Sequence, residues 1–495
     1  MGITLSRQGR EVKQLIKEAL GSDGTLYWDH VKLYNLDIPT QPDAVTYSKT
    51  PQQVASIVKS ARRAGLAVQA KSGGHSYCNF SSPDGGIIVD LRNFKNFSMD
   101  QTAWQATTGG GMLLGELTEA MYNPHKRAMT HGEHIRGVQY ASEAYIRNLP
   151  TGRVGRACND RWAGFKLPSL RGGVGSCVGG RGCSCRRQHT ESDLFWALKG
   201  AGASFGIRTE FVLRTERAPG DTVQYKHSFT SGTWAEIAEV FKSWQRFIAD
   251  RNSSLEFTTT ATITSLGLTG SGTFYGTREE FEKLSLKPDL PLKHTGEKTA
   301  VSQNWIDVLM HQAEEVALKL GGGISAHAYS KTLTFNGEKD NFIPDATVDK
   351  LFDYIKRTDK GTLIWFLIFD LAGGKVNEVP MAKTAYAHRD ALYYLQSYAI
   401  SDKLFSGVSR TTKDFLAGFS DLIVTDMKAD GVFTDYGAYP GYVDLELGAS
   451  AQKLYWRSNL PKLDEIKKKY DPDQVFRNPQ SVRPAGMGNR TGHGL

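Results

Sequence analysis

A short polar turn, Lys71 to Tyr77, is the first place in the sequence where residue types and spacing could do chemistry. It reads KSGGHSY and follows a stretch with strand character. Two adjacent glycines, Gly73 and Gly74, allow the backbone to approach a bulky ligand and to present N–H groups to an anion. His75 at the tip would then lie at the ligand surface. The alternative interpretation is a hairpin tip with a solvent-exposed histidine.

The elements that must position this turn follow a pattern of alternating strands and helices. Thr50, Pro51 and Gln53 supply a helix cap, a first-turn proline and a capping-box glutamine. Apolar residues recur with helical spacing over residues 54–61, and a strand-like run, GIIVDL, follows at 86–91. The pattern therefore predicts a mixed domain of helices and strands around the turn.

The composition is that of an ordinary globular protein. The chain has 495 residues, of which 40% are hydrophobic and 23% are charged. This length predicts two to four domains, since one domain takes roughly 100 to 200 residues. No apolar run reaches the roughly 18 residues that a membrane-spanning helix needs, so we expect no membrane partner. The first twenty residues contain no uninterrupted apolar core of a secretory signal peptide.

The basic charge of the chain is concentrated in one segment. The formal net charge is +8, and residues 133–190 contribute +7 of it through nine Arg and one Lys against three acidic residues. Nucleic-acid binding would rest on this segment alone, so we predict no nucleic-acid partner.

The same segment contains four of the five cysteines and lacks a sustained strand or helix period. Three interpretations are open. The segment could come from an out-of-phase or unspliced reading frame, it could be a true insert, or it could bind a metal. Because the spacing of Cys177, Cys183, Cys185 and His189 matches no common zinc pattern, we predict no metal site.

Several separated motifs together resemble one family, the FAD-linked oxidases of the vanillyl-alcohol-oxidase type. Within it they are similar to the berberine-bridge-enzyme-like and glucooligosaccharide-oxidase group. The motifs cover about three quarters of the chain and run in the order that the family has. They are YWDHVKLYNLDIPTQPDAV at 27–45, KSGGHSY at 71–77, ESDLFWALKGAGASFGIRTEF at 191–211, FDLAGGKV at 369–376, TAYAHRD at 384–390 and KKYDPDQVFRNPQSVRP at 468–484.

The resemblance implies an α+β fold with two domains. One is a PCMH-type FAD-binding domain formed by residues 1–217, and a C-terminal segment, 443–495, returns to it. The other, 218–442, is a substrate domain in which helices cover an antiparallel sheet. Relatives are mostly secreted, which implies an extracellular location, although this chain shows no signal peptide.

The resemblance also implies an FAD cofactor and the residues that hold it. His75 would bond covalently to the 8α-methyl group of the flavin. The second, cysteinyl link of bicovalent relatives has no counterpart that we can identify in this sequence. The remaining predicted FAD contacts are Ser72, Gly73, Gly74 and Ser76 at the pyrophosphate, Gly206 and Ile207 on the adenine side, and Asn478 and Gln480 in the C-terminal strip.

By the same resemblance, Tyr442 would act as the catalytic base with Asp370 as its activating carboxylate. A phenol with a pKa of about 10 is a poor base at neutral pH without such help. Tyr439, three residues away, is the nearest rival. The alternative is that Tyr442 is only a turn aromatic and Asp370 only a residue at a strand end. Tyr77 and Gln396 would contact the substrate.

The predicted function is FAD-dependent oxidation of an alcohol, with the anomeric hydroxyl of a sugar or oligosaccharide as the first candidate. Hydride would pass to flavin N5, and O₂ would accept the electrons to give H₂O₂. Ile368 stands where sugar oxidases of the family tend to have a polar Gln, which favours a phenolic or alkaloid-like alcohol instead. A non-catalytic chain with a disrupted FAD site is the alternative from another class.

Overall fold

In the computed structural model, the helix Pro51–Arg63 begins at the capping box that the sequence predicts. The Thr50 Oγ1 accepts a hydrogen bond from the Gln53 backbone N–H at 3.2 Å, and the Gln53 Oε1 accepts one from the Thr50 N–H at 3.3 Å. Val54 and Ile57 are fully buried and face the neighbouring sheet. The local signal therefore fixes both the start and the buried face of this helix.

The structure describes most of the chain outside the basic segment. His75 and nearly all of residues 133–190, including Cys183, Cys185 and His189, lie outside the described residues. The described residues are 14, 16–20, 25–27, 31–74, 76–129, 176–177, 192–249, 258–283, 295–302, 305–308, 325–336, 342–372, 376–403, 406–429 and 436–485.

Short sheets make up the N-terminal part. Its strands are β1 (Thr25–Tyr27), β2 (Ala44–Tyr47), β3 (Val68–Lys71), β4 (Ile87–Asp90), β5 (Phe97–Asp100), β6 (Gln105–Gly109), β7 (Arg127–Ala128), β8 (Ser176–Cys177), β9 (Ile207–Arg208), β10 (Glu210–Arg214) and β11 (Glu216–Arg217). A four-stranded sheet has the order β1-β2-β4-β3, in which β4 pairs in parallel with both β2 and β3. A three-stranded sheet has the order β10-β6-β5. Since β3 ends at Lys71, the glycine turn begins directly after a strand.

A seven-stranded antiparallel sheet dominates the rest of the chain. Its strands are β12 (Thr222–Phe229), β13 (Thr260–Thr264), β14 (Gly267–Phe274), β15 (Gly296–Ser302), β16 (Ala328–Asn336), β17 (Ile364–Leu371) and β18 (Ala391–Ile400). Their order is β15-β12-β14-β13-β17-β18-β16. Helices combined with antiparallel sheets confirm the predicted α+β class. The predicted boundaries at 217 and 442 stay a prediction.

One face of this sheet, the helix face, packs on three helices, Trp234–Ala249, Asp345–Arg357 and Arg410–Ala429. The Phe369 ring centroid lies 4.7 Å from that of Phe241, and the Trp365 centroid lies 5.3 Å from that of Phe415. Because side chains alternate along a strand, Phe366 and Ile368 point to the opposite face. We call that opposite face the substrate face.

The C-terminal residues contact the N-terminal part, where the Val68 N–H donates to the Val475 carbonyl at 2.8 Å, and a buried ion pair lies beside this contact. In the helix Leu460–Tyr470, the Lys467 Nζ lies 2.6 Å from the Asp471 Oδ2 and donates to the Phe476 carbonyl at 2.9 Å. Asp471 also accepts hydrogen bonds from the backbone of Val475 and Phe476. Removing one member of a buried pair leaves an uncompensated charge, so this pair fixes the path of the strip that follows.

No helix within the described ranges is both long and apolar enough to cross a membrane.

Candidate active site

The predicted base and its carboxylate lie in direct contact. The Tyr442 Oη donates a hydrogen bond of 2.9 Å to the Asp370 Oδ2. Asp370 is near the end of β17 on the substrate face and is 8% exposed. Tyr442 lies in a turn, where its backbone N–H donates to the Tyr439 carbonyl at 2.9 Å. Residues 72 positions apart in sequence are therefore in the contact that the resemblance implies, and their catalytic roles stay a prediction.

A threonine from the neighbouring strand holds the other oxygen of this carboxylate. Thr260 in β13 lies opposite Asp370, and its Oγ1 donates to the Asp370 Oδ1 at 3.1 Å. Both residues are buried. Each of the two Asp370 carboxylate oxygens therefore accepts a hydrogen bond, one from Thr260 and one from Tyr442.

The rival tyrosine occupies a packing position. Tyr439 is 5% exposed, and its ring stands perpendicular to that of Tyr442 with the centroids 5.1 Å apart. On its other side it packs on Tyr394, with the centroids 5.3 Å apart. Edge-to-face contacts of this kind fix the orientation of a ring. Tyr439 thus holds the orientation of the Tyr442 ring through this perpendicular contact.

The two predicted substrate residues also contact each other. The Gln396 Nε2 donates to the Tyr77 Oη at 2.8 Å. Gln396 lies in β18, directly opposite Ile368 and one alternation away from Tyr394, the cross-strand neighbour of Asp370. The structure therefore brings Tyr77 and Gln396 to the same face as the Tyr442–Asp370 pair. Their roles toward a substrate stay a prediction.

Tyr34 and Tyr398 extend this group and were not predicted from the sequence. The Tyr77 centroid lies 5.3 Å from that of Tyr398 and 6.0 Å from that of Tyr34. Burial raises the pKa of Tyr34 to about 12, and burial likewise raises the pKa of Tyr398 well above its usual value. Both phenols therefore stay protonated at any physiological pH. Tyr398 could have been found from its position two residues after Gln396, whereas the loop residue Tyr34 has no periodic signal.

Two asparagines hold the backbone segments that contain Tyr34 and Tyr77. The Asn79 Oδ1 accepts from the backbone of Tyr34 at 3.1 Å, and the Asn35 Nδ2 donates to the Tyr77 carbonyl at 2.8 Å. The Asn35 Nδ2 also donates to the Ala328 carbonyl at 2.8 Å, at the start of β16. These amides tie the glycine turn to the substrate face.

The glycine turn itself tests whether the chain fits an FAD pyrophosphate. Gly74 has φ +71°, and a Cβ there would lie 2.5 Å from the Lys71 Cε, so the position favours glycine. The Ser72 hydroxyl is buried and has no hydrogen-bond partner within the described structure. Burial lowers the pKa of the Lys71 ammonium, although Asp90 opposes this effect. An unpaired hydroxyl beside a left-handed glycine and a lysine suits a phosphate, so these residues fit the cofactor.

The other predicted cofactor residues lie in two strips. Gly206 is buried directly before β9, and Ile207 in β9 is 1% exposed. In the C-terminal strip, the Asn478 Oδ1 accepts from the Gln480 N–H at 2.9 Å. The Gln480 Nε2 donates to the Asp444 carbonyl at 2.6 Å, and its Oε1 accepts from the Tyr455 Oη at 2.9 Å. Gln480 therefore anchors the segment that follows Tyr442, and its predicted contact with FAD stays a prediction.

Comparisons with known proteins give matches at both ends of the chain. A family model described as FAD binding domain matches residues 42–135, and one described as berberine and berberine like matches residues 438–483. FAD-linked oxidoreductase sorD of Penicillium rubens is 34% identical over 455 residues, which are 91% of this chain and 92% of that protein.

Two further relatives bear names that state a substrate. Xylooligosaccharide oxidase of Thermothelomyces thermophilus is 27% identical, with 91% of this chain and 89% of that protein covered. A solved structure of glucooligosaccharide oxidase from Acremonium strictum covers 96% of this chain and 100% of its own, with 25% identity and a TM-score of 0.78. Its title describes a 6-S-cysteinyl, 8α-N1-histidyl FAD.

Proposed function

Since this chain belongs to the berberine-bridge-enzyme-like and oligosaccharide-oxidase group of FAD-linked oxidoreductases, we propose that it oxidises an alcohol with Tyr442 as base and Asp370 as proton acceptor. Membership of the group confirms the PCMH-type fold, the FAD cofactor and the assignment as an enzyme that acts on CH–OH groups. The observation that supports the proposal is the 2.9 Å hydrogen bond between the Tyr442 Oη and the Asp370 Oδ2.

The chemistry of the pair follows from proton transfer. FAD, when bound, would supply the hydride acceptor at N5, and O₂ would reoxidise it to give H₂O₂. The C–H bond weakens as the hydroxyl proton leaves, so a base must take that proton. The Tyr442 Oη takes it and passes its own proton to the Asp370 Oδ2. No free phenolate is needed, because the carboxylate is the final acceptor. Tyr77 and Gln396 would orient the alcohol through their hydroxyl and amide groups.

The first candidate substrate is the anomeric hydroxyl of a sugar or oligosaccharide, with a lactone as product. The names of the xylooligosaccharide and glucooligosaccharide oxidases support this candidate. The second candidate is a phenolic or alkaloid-like alcohol. It is supported by Ile368, which is 7% exposed and lies two residues before Asp370 on the substrate face.

The covalent flavin link is part of the proposal. His75 directly follows Gly74 in the turn that fits a pyrophosphate, and it would bond to the flavin 8α-methyl group. Acid precipitation of the purified protein tests this link. A yellow pellet that becomes colourless in His75→Ala is the expected result. A chain without any flavin absorbance would instead favour the non-catalytic alternative.

Paired substitutions test the catalytic assignment. Tyr442→Phe removes the base and keeps the ring, so flavin reduction by oligosaccharides and by apolar alcohols should fall about 10²- to 10⁴-fold. Tyr439→Phe is the matched control, since its ring contacts stay in place. Anaerobic stopped-flow absorbance measures both variants, and acid precipitation checks that each still holds flavin. Undiminished flavin reduction in Tyr442→Phe would contradict Tyr442 as the base. If flavin reduction fell in Tyr439→Phe alone, Tyr439 would be the base.

A further inference from the structure

An apolar strip leads along β17 from the solvent to the proposed catalytic pair. It consists of Ile364, Phe366 and Ile368, which share the substrate face with Asp370 because side chains alternate along a strand. The exposed fraction is 38% for Ile364, intermediate for Phe366 and 7% for Ile368. At a rise of about 3.3 Å per residue, the strand covers roughly 20 Å from Ile364 to Asp370.

Aromatic and aliphatic side chains of the next strand border this strip. In β18, Tyr398 lies opposite Phe366 and Ile400 lies opposite Ile364. These two residues and Phe366 pack in one apolar cluster that also contains Tyr442. The strip is thus continuous with the ring of the proposed base.

The strands that carry and border the strip place almost no charge on their substrate face. On the substrate face of the described strands β13, β17 and β18, Asp370 is the one carboxylate, and there is no Lys, Arg or His. The bordering residues of β13 are threonines, of which Thr262 lies opposite Ile368. A polyhydroxylated chain lying here would leave many hydroxyls facing aliphatic carbon, without the hydrogen bonds that water gave them.

The outer end of the strip opens onto exposed apolar residues. Leu363 is 77% exposed and Leu266 is 74% exposed. The two loops meet, since the Ser265 Oγ donates to the Leu363 carbonyl at 3.5 Å. Exposed apolar residues are found where a ligand or partner is bound, and Leu363 directly precedes Ile364, the outer residue of the strip.

We propose that the substrate is amphiphilic, an alcohol whose reacting end lies between Tyr442 and Gln396 and whose apolar chain or ring system lies along Ile368, Phe366 and Ile364. The inference rests on the proposed function for the reacting end and adds the class of molecule. Burial of the apolar part supplies binding free energy, and the polar end positions the hydroxyl between Tyr442 and Gln396.

A homologous series of 4-alkylbenzyl alcohols, from methyl to dodecyl, tests the strip in the full-length protein. Isothermal titration calorimetry gives each Kd, and anaerobic flavin reduction gives each kcat/KM. The affinity should rise by up to about fourfold per methylene until the chain passes the end of the strip. An affinity that does not depend on chain length would overturn the proposal.

Three variants locate the effect. Ile368→Gln should flatten the rise for the first carbons, and the solvent-accessible Ile364→Asp should flatten it for the longest members alone. Val301→Asp is the matched control, because Val301 is 45% exposed on the edge strand β15 and lies away from the strip. An equal loss in Val301→Asp and Ile364→Asp would also overturn the proposal.

The two readouts separate this inference from the function on which it rests. Binding that strengthens with chain length, without flavin reduction by any alcohol, would contradict the proposed reaction and leave the strip in place. Flavin reduction by sugars, with binding that ignores chain length, would contradict the strip and leave the reaction in place.

Discussion

The two faces of β17 differ in what their burial achieves. Trp365, Leu367 and Phe369 point to the helix face and are at most 2% exposed. Ile368 and Asp370 point to the substrate face and are nearly as buried, at 7% and 8%. Similar burial therefore has a different consequence on each face: on the helix face it stabilises the fold, and on the substrate face it encloses the Asp370 carboxylate. Substitutions of neighbouring residues on the two faces should separate these two consequences.

The largest expected effect is on catalysis, from the substrate face. Asp370→Asn removes the proton acceptor of Tyr442 and keeps the size of the side chain. We expect flavin reduction to fall about 10²- to 10⁴-fold, because the phenol loses the group that takes its proton. Stopped-flow reduction at saturating substrate measures this loss, and urea denaturation shows whether the fold is kept. Turnover close to that of the unchanged chain would contradict the role of Asp370.

The next effect is on stability, from the helix face. Phe369→Ala leaves a cavity between Phe241 and Trp244, whose ring centroids lie 4.7 Å and 6.4 Å from that of Phe369. The free energy of unfolding should fall by about 3 to 5 kcal/mol. Phe366→Ala, on the substrate face, is the comparison and should cost less because Phe366 is only partly buried. Equal losses in urea denaturation would remove the distinction between the faces.

A smaller effect is expected for the threonine that holds the carboxylate. Thr260→Val removes the 3.1 Å hydrogen bond to the Asp370 Oδ1 and leaves the strand intact. Losing a hydrogen bond to a charged group should lower kcat roughly tenfold, with little change in KM. Thr260→Ser should restore kcat. Thr262→Val, two residues along the same face, is the control, and an equal loss there would mean that the effect is general to the strand.

The smallest effect concerns the contribution of Tyr34 to stability at high pH. Because burial raises the pKa of Tyr34 to about 12, the folded chain keeps a proton that the unfolded chain releases near pH 10. The free energy of unfolding should therefore fall as the pH rises through this window. Absorbance titrations of the unchanged chain and of Tyr34→Phe should differ by one phenol, which ionises near pH 12. Ionisation near pH 10 would mean that water reaches the Tyr34 hydroxyl.

Some elements could be predicted from local signals alone. The helix Pro51–Arg63 has its cap, its proline and its apolar spacing within 14 residues, so its start needs no tertiary information. The glycine turn is similar, since the positive φ at Gly74 favours the residue type that the sequence shows. The buried residues of β17 were harder to sort, because a strand buried on both sides reads as a continuous apolar run, IWFLIFDL, without alternation.

The resemblance supplied the pairing of Tyr442 with Asp370, which no spacing argument could give for residues 72 positions apart. Thr260, Tyr34 and Asn35 were not predicted for the same reason. Each acts on a residue far away in the chain. Thr260 needs β13 to pair with β17, whereas Tyr34 and Asn35 need their loop to lie against Tyr77. Gln480 was predicted to contact the cofactor. Its side chain bonds to the Asp444 carbonyl and to Tyr455, contacts that the sequence did not indicate, and its contact with FAD stays a prediction.

The sequence by itself determined the residue types of the site, the turn that fits a phosphate and the family to which the chain belongs, because these depend on local patterns that survive in the linear order. The tertiary structure alone decided which oxygen of Asp370 meets which donor, and that an apolar strip leads to it. These depend on the register of β13, β17 and β18, where a shift of one residue would exchange the helix face for the substrate face.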